Sequence, residues 1–335
     1  MKKLLLFSIV ISALISCRKF DKDNFDGPSL EDSFGPFAIL EDLNRGNYEV
    51  DFSAGQKVAF NMTLSKNTNW VIKIEGANSG AIRTITGTER ILSLENALWN
   101  GGANKFPSFN LEKAYITVTF PNEENSPIVR DSVLITGLKQ DQGFLITSFE
   151  SGIAPNWQQF NQTTVQGKIE CDPDLAAKGS CFYSWNGTVG WDWAIGSVTV
   201  KPPAGSTSFN LPASANNLFF NIAFKALQNV GPQNSFLLFW FDEDDNGDGV
   251  FDLNTEDRFI YEYWSNTLDW DLISRKYADL KFDKDGAVQN TNGNGLTEPS
   301  KLISVNVFFL ANPGNGNAKA YADHMIFTLN EPYQP

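Results

Sequence analysis

The residues with the clearest chemical potential are oxygen donors crowded into an acidic stretch, DEDDNGDGVFDLNTED, at positions 242–257. Aspartate and asparagine recur at every second position, and Gly249 permits a sharp turn. Oxygens arranged in this way can converge on one hard cation, and without a cation their charges repel one another. We therefore predict a structural calcium site, with these ligands: Asp244, Asn246, Asp248, the Val250 carbonyl and Asp252.

This spacing resembles the calcium loops of EF-hands and dockerins over about twelve residues. It departs from them at the twelfth position, because Thr255 has no bidentate carboxylate. Glu256, Asp257 or Asp242 would have to complete the shell instead. The flanking segments are predicted to be strands, so only the loop chemistry is carried over. The alternative is a solvated acidic hairpin loop that holds no ion.

A second pair of carboxylates lies at the two ends of the C-terminal half, in Phe149-Glu150-Ser151-Gly152 and in Tyr321-Ala322-Asp323. In a strand, Asp323 would share an apolar face with Tyr321, and a carboxylate there needs a cation or several hydrogen bonds. The two motifs resemble those of galactose-binding-like jelly rolls in carbohydrate-binding modules. That resemblance implies Glu150 and Asp323 as ligands of a structural calcium ion. The alternative is an Asp323 that is simply hydrogen-bonded.

Aromatic side chains of the same half form a third set of candidates. Sugar rings present apolar C–H faces that can stack on flat aromatic rings, while neighbouring amides and carboxylates bond the hydroxyls. Trp240 lies inside an apolar run and is predicted to belong to the core. The predicted glycan-binding residues stand near polar side chains at strand ends, and they are Trp191, Trp193, Trp264 and Trp270. For any single one of them, a place in the core is the competing interpretation.

The N-terminus combines Lys2 and Lys3 with a short apolar run at 4–15 and the sequence Leu14-Ile15-Ser16-Cys17. A basic start, a short apolar core and a small residue are typical of a secretory signal. The segment resembles the lipobox of bacterial lipoproteins, which implies lipidation of Cys17. Since Arg18 follows and not an aspartate, the outer membrane is the expected location. An ordinary cleaved signal, with Cys17 incidental, is the alternative.

With Cys17 assigned to lipid, Cys171 and Cys181 remain. An oxidising compartment favours a disulfide between them, and two free buried thiols are the alternative. Zinc is not expected, because His324 is the only histidine. The net charge of −13 would repel a phosphate backbone, so nucleic acid is not an expected partner.

The 335 residues suggest two domains. Short apolar-alternating runs separated by turn residues, without long helical periodicity, predict an all-β protein. We predict an immunoglobulin-like β-sandwich over 36–139 and a larger jelly-roll β-sandwich over 144–330. A signal peptide over 1–17 and a flexible tether over 18–35 would precede them. The apolar run at 235–241 should be a central strand covered on both sides.

This layout resembles the surface glycan-binding lipoproteins that accompany polysaccharide-uptake systems in Gram-negative bacteria. The resemblance implies non-catalytic capture of an oligosaccharide or polysaccharide at the cell surface, a membrane contact through the lipid anchor, and other outer-membrane uptake proteins as partners. A structural or adhesive protein that acts by protein–protein contact is the first alternative. A glycoside hydrolase is the second, and it would need two carboxylates facing each other across a cleft.

Overall fold

The computed structural model describes residues 35–162, 164–190, 193–226, 236–265, 267–284, 287–288, 293–311 and 316–335. The predicted signal peptide, Cys17 and nearly all of the predicted tether lie outside these residues, as does Trp191. Among the described residues there is no helix with the length and apolar character needed to cross a membrane.

The chain is all-β, as predicted, and its first part pairs its strands into small sheets. The orders are β1-β4-β7, β2-β10-β9-β5-β6 and β3-β8. The strands are β1 (Ile39–Asn44), β2 (Glu49–Asp51), β3 (Val58–Ala59), β4 (Asn61–Leu64), β5 (Trp70–Gly76), β6 (Ile82–Gly87), β7 (Ile91–Leu92), β8 (Leu98–Trp99), β9 (Lys113–Thr119) and β10 (Val129–Gly137).

Strand β5 shows why this part folds as a sandwich. Trp70, Ile72 and Ile74 alternate with Lys73 and Glu75, and a strand sends successive side chains to opposite faces. The three apolar side chains are fully buried, whereas Lys73 and Glu75 face outward and pair with each other at 2.7 Å. The buried face of this sheet packs into one hydrophobic core with residues of the other two sheets.

The second part builds a larger sandwich from two sheets. The first has the order β13-β14-β23-β16-β19, with β11 added beside β23, and the second has the order β12-β15-β22-β17-β18-β20-β21. The strands are β11 (Phe144–Thr147), β12 (Gln158–Asn161), β13 (Gln166–Cys171), β14 (Cys181–Val189), β15 (Trp193–Val200), β16 (Leu218–Ala226), β17 (Phe236–Glu243), β18 (Arg258–Trp264), β19 (Asp271–Lys276), β20 (Lys281–Lys284), β21 (Ala287–Val288), β22 (Leu302–Ala311) and β23 (Gly316–Leu329).

The predicted central strand is confirmed, because β17 lies between β22 and β18. Its odd-numbered residues Leu237, Phe239 and Phe241 are fully buried between the two sheets. Trp240 points to the opposite face and is only half-buried, so its assignment to the core is wrong. The alternation of a strand, not overall apolarity, decides which aromatic residues enter the core.

The predicted disulfide is also confirmed, since Cys171 and Cys181 are bonded. The two cysteines stand opposite each other at the ends of β13 and β14. The bridge closes the loop at 172–180, and residues of this loop contact both sandwiches.

A set of aromatic side chains lies where the two parts meet, and we call it the junction cluster. Phe106 of the first part stacks on Tyr333 at 5.9 Å between ring centroids. Backbone bonds reinforce the contact, because the Ser108 N–H donates to the Ala177 carbonyl at 2.8 Å. The cluster is formed by Phe106, Phe182, Trp270, Tyr321 and Tyr333.

Candidate functional site

The outer face of the seven-stranded sheet carries a continuous set of side chains that point away from the sandwich core. Antiparallel pairing places residues of five or six neighbouring strands directly opposite one another, so each row shares one face. One row runs Phe160, Ser197, Phe308, Leu238 and Glu262. The adjacent row runs Gln158, Thr199, Asn306, Trp240, Ile260 and Lys281. Five strands span about 19 Å at the usual strand spacing.

The middle of this outer face is apolar and aromatic. Trp240 and Phe308 meet edge to face, with ring centroids 4.3 Å apart. They pack on Leu238, Ile260 and Leu310, which form a small cluster separate from the sandwich core. The aliphatic side chains are buried beneath the two partly exposed rings, which form the aromatic strip, and a partly exposed aromatic ring can stack against a sugar ring.

Trp264 ends β18 on the same face, and it is 55% exposed. It pairs with Phe236, which lies two residues before Leu238 along β17. Its side chain is therefore accessible, and its role in glycan binding stays a prediction. Trp193 begins β15 opposite Ala311, at the same end of the sheet, but its side chain lies outside the described residues.

Polar groups line the other end of the aromatic strip. The Arg258 guanidinium binds both carboxylate oxygens of Asp242, at 2.6 and 3.2 Å. Asp242 also accepts hydrogen bonds from the Ser304 hydroxyl at 2.6 Å and the Asn306 amide at 3.2 Å. The Thr199 hydroxyl donates to the Asn306 side-chain oxygen. The aspartate is therefore fully paired, and its bonds with the guanidinium use the Nε and Nη2 atoms of Arg258.

Trp270 is not on this face, and its prediction as a glycan-binding residue is wrong. Only 5% of it is exposed. Its ring packs in the junction cluster against Phe182 and Tyr321. Its indole N–H donates to the Leu175 carbonyl at 2.9 Å. Both the ring and its polar atom are thus used by the protein itself.

Sequence reasoning missed Trp240, Phe308 and Arg258. The signal was present in β17, whose residues are apolar on both faces. That pattern was interpreted as a strand covered on both sides, yet it also describes a strand that presents an apolar face outward. Arg258 gave no signal, because its role depends on Asp242, sixteen residues earlier in the chain.

The acidic loop lies between β17 and β18, beside this polar end. Asp244 accepts the Gly247 and Gly249 N–H groups at 2.6 and 2.7 Å. Asn246 accepts the Asp248 N–H at 2.8 Å, and Asp248 accepts the Val250 N–H at 2.8 Å. Gly249 has a φ of 82°, a conformation that favours glycine. The loop thus folds as a tight series of turns held by its own carboxylates.

Three of these carboxylates come together: oxygens of Asp244, Asp248 and Glu256 lie within 4.8 Å of one another. Glu256 is one of the residues expected to replace Thr255 in completing the shell. Burial raises its pKa, and the neighbouring Asp244 raises it further. A cation would relieve this crowding. The Asp252 carboxylate accepts the Asn254 N–H at 2.9 Å, and the Asp252 backbone N–H donates to Glu256 at 2.8 Å.

A neighbouring cluster contains Glu243, Asp245 and Glu298. Burial raises the pKa of Glu243 to about 8. This glutamate accepts the Tyr277 hydroxyl at 2.7 Å and the Glu298 N–H at 2.9 Å. The Lys301 ammonium lies 2.6 Å from Glu298 and 3.5 Å from Asp245. The ammonium of Lys301 therefore offsets part of the negative charge of this cluster.

Glu150 and Asp323 both hold the loop that precedes Cys181. Glu150 accepts the Ser180 and Cys181 N–H groups at 2.7 and 2.8 Å. Asp323 is fully buried and accepts the Ala177 and Lys178 N–H groups at 2.9 and 3.1 Å. Burial raises the pKa of Asp323 well above its usual range. These bonds are those of the hydrogen-bonded alternative, and the predicted ligand role of both residues stays a prediction.

Comparison with known proteins gives structural likenesses only, since no family model and no curated protein matches the chain. The family 11 carbohydrate-binding module of the cellulosomal cellulase Lic26A-Cel5E of Clostridium thermocellum is 14% identical, with a TM-score of 0.37 over 57% of this chain and 95% of that chain. TmCBM61, solved with β-1,4-galactotriose, is 13% identical, with a TM-score of 0.32 over 56% and 99% of the two chains.

A third similar structure is SGBP-B from a complex xyloglucan utilization locus in Bacteroides uniformis. It is 10% identical, with a TM-score of 0.35 over 88% of this chain and 73% of that chain. These three structures include carbohydrate-binding modules. At such low TM-scores the likeness decides nothing about the ligand of this chain.

Proposed function

We propose that the protein binds glycan without catalysis, on the outer face of its seven-stranded sheet. The observation that carries this proposal is the aromatic strip of Trp240 and Phe308, continued by the exposed Trp264 and flanked by the Arg258–Asp242 pair. Rings supply stacking surfaces, and the guanidinium supplies hydrogen bonds to hydroxyls. The strip crosses the strands, so it suits an extended chain of several sugar units.

Calorimetry against a panel of soluble polysaccharides and their oligosaccharides tests this proposal. We expect saturable binding of at least one glycan, and weaker binding by Trp240→Ala and Trp264→Ala. Tyr115→Ala is the matched control, because Tyr115 is an exposed aromatic residue of the other sandwich. Absence of binding across the panel, or loss of binding in the control alone, would overturn the proposal.

The acidic loop is proposed to hold a structural calcium ion through Asp244, Asp248 and Glu256, with Asn246, the Val250 carbonyl and Asp252 as further predicted ligands. Its support is the convergence of three carboxylates in a loop of tight turns. We expect calcium to raise the unfolding temperature and a chelator to lower it, and Asp248→Asn to reduce that difference. An unfolding temperature that is the same with calcium and with chelator would contradict this.

The protein is further proposed to be an outer-membrane lipoprotein anchored through Cys17, with its binding face turned to the surroundings and uptake proteins as neighbours. The lipobox-like N-terminal sequence supports this part. Metabolic labelling with a palmitate analogue should mark the wild-type protein and not Cys17→Ala. Recovery of the unmodified chain from the cytosol would contradict it.

Protein–protein contact is a second candidate function, favoured by a different surface. Tyr115 and Leu134 are both exposed on the outer face of the five-stranded sheet, on the adjacent strands β9 and β10. Cross-linking in the native host, with Tyr115→Ser as the comparison, would show whether a partner protein uses this face.

A further inference from the structure

The base of the acidic loop is linked to the aromatic strip through one side chain. Arg258 stands opposite Asp242 where β17 and β18 open into the loop. Its guanidinium lies 4.2 Å from the centre of the Trp240 ring on the sheet. It also lies 4.7 Å from the centre of the Phe251 ring in the loop. A loop residue and a sheet residue thus contact the same cation.

Three strands hold one edge of this guanidinium. Two parallel N–H···O bonds join that edge to Asp242, and they leave the tilt of the plane about that edge to its other contacts, the rings of Trp240 and Phe251. Asp242 is in turn bonded by Ser304 and Asn306 of β22. A planar cation held in this way stacks on aromatic rings with little loss of freedom.

Trp240 depends on this arrangement for its own orientation. Arg258 lies over its ring, and Phe308 meets it at an interplanar angle of 61°. Its indole N–H has no hydrogen-bond partner among the residues that the structure describes. Packing against Arg258 and Phe308 therefore holds the ring in place.

We infer that Phe251 is a positioning residue for the glycan-binding face, acting on Trp240 through Arg258. The inference rests on the proposed function, because it takes Trp240 as part of the binding surface. It assigns the acidic loop a task beyond its own stability: the loop sets the orientation of an aromatic ring that lies on the sheet. A side chain that need not touch the glycan then controls how strongly the glycan binds.

The test compares Phe251→Ala with Phe251→Tyr, which keeps the ring, and with Leu253→Ala, a partly exposed apolar residue of the same loop. Two properties are measured on the full folded chain: the glycan dissociation constant and the indole N–H resonance of Trp240 without ligand. We expect Phe251→Ala to weaken binding about tenfold and to move that resonance, because the cation–π contact is lost. The other two variants should stay within about twofold of wild type.

A double-mutant cycle separates positioning from general stability. Arg258→Lys keeps the charge but loses the bidentate fork and the planar stack. If Phe251 acts through Arg258, the double variant should bind no more weakly than Arg258→Lys alone. Additive losses, or a Trp240 resonance that does not move in Phe251→Ala, would overturn the inference. If the wild-type protein binds no glycan, the proposed function is overturned instead. The Trp240 resonance in Phe251→Ala then still tests whether Phe251 acts on Trp240 through Arg258.

Discussion

Two groups of aromatic side chains lie outside the two sandwich cores, and they are used in opposite ways. The junction cluster is enclosed by both parts of the chain, and Trp270 there is almost inaccessible. The outer face of the seven-stranded sheet leaves Trp264 more than half exposed. Similar side chains thus join the two sandwiches in one place and offer a surface in the other.

The polar groups beside each cluster show the same contrast. At the junction, the Tyr333 hydroxyl donates to Asp141 at 2.5 Å, and the Lys178 ammonium bonds both residues. Burial alone would raise the pKa of Asp141, but His324 and Lys178 lower it overall. On the outer face, Arg258 pairs with Asp242 through two hydrogen bonds. The charged groups at the junction thus link elements of the protein, whereas the Arg258–Asp242 pair borders a partly exposed aromatic surface.

The largest expected effect distinguishes the two clusters by stability. Trp270→Ala should lower the free energy of unfolding by about 3–5 kcal/mol, because it leaves a cavity at the junction and removes the bond to Leu175. Urea denaturation measures this loss, with Trp264→Ala as the control. A loss below about 1 kcal/mol would mean that the junction cluster is not a structural contact.

The next effect distinguishes the two groups of aromatic residues by their contribution to glycan affinity. Trp264→Ala should weaken glycan binding at least about tenfold, as expected for an aromatic residue at the centre of recognition. Its stability should change by only about 0.5 kcal/mol, since the side chain is largely exposed. Calorimetry on Trp264→Phe, which keeps a stacking surface, should show an intermediate affinity. Full affinity in Trp264→Ala would remove this residue from the site.

Acidity should affect the junction through its histidine. Burial lowers the pKa of His324 below its usual value of 6.5, although Asp141 opposes the shift. Below about pH 6.5 the histidine is protonated in the unfolded chain but stays neutral in the folded chain. The free energy of unfolding therefore falls as the pH falls, by at most about 1.4 kcal/mol per pH unit. The loss continues until the pH reaches the lowered pKa of the folded state.

The comparison for this effect is His324→Asn, because asparagine tolerates the φ of 44° found at position 324. Urea denaturation at pH 7.0, 6.0 and 5.5 should show a smaller loss in the variant than in wild type. Identical pH dependence in the two proteins would show that this histidine does not titrate with folding.

The smallest effect tests whether exposure alone makes an aromatic residue a binding residue. Tyr115 is 52% exposed, much like Trp264, but it lies on the first sandwich beside Glu75 and Ser132. Tyr115→Ala should leave glycan affinity unchanged within about twofold. A large loss would place the glycan, or a second glycan site, on the first sandwich.

Much of the fold could be predicted from local patterns. Alternation in segments such as β5, and turn residues between them, were sufficient for the all-β class, and the two cysteines for the disulfide. The acidic loop could be located because its donors are neighbours in sequence. Glu256 entered as one of three alternatives, since the geometry of the turns, and not the spacing alone, brings it to Asp244 and Asp248.

The choice among tryptophans could not be made from sequence. Trp240, predicted in the core, lies on the outer face. Trp270, predicted on a surface, lies in the junction cluster. Exposure of a ring depends on which segments distant in the chain cover it, and Phe106 reaches the junction from another sandwich. Local polarity carries no information about such contacts.

The most direct test of the account follows the indole N–H resonances of the nine tryptophans during a glycan titration. We expect the resonances of Trp240 and Trp264 to move and saturate together, while those of the buried Trp70, Trp99, Trp185 and Trp270 stay in place. Saturable binding that moves the Trp270 resonance and leaves those of Trp240 and Trp264 unchanged would contradict it.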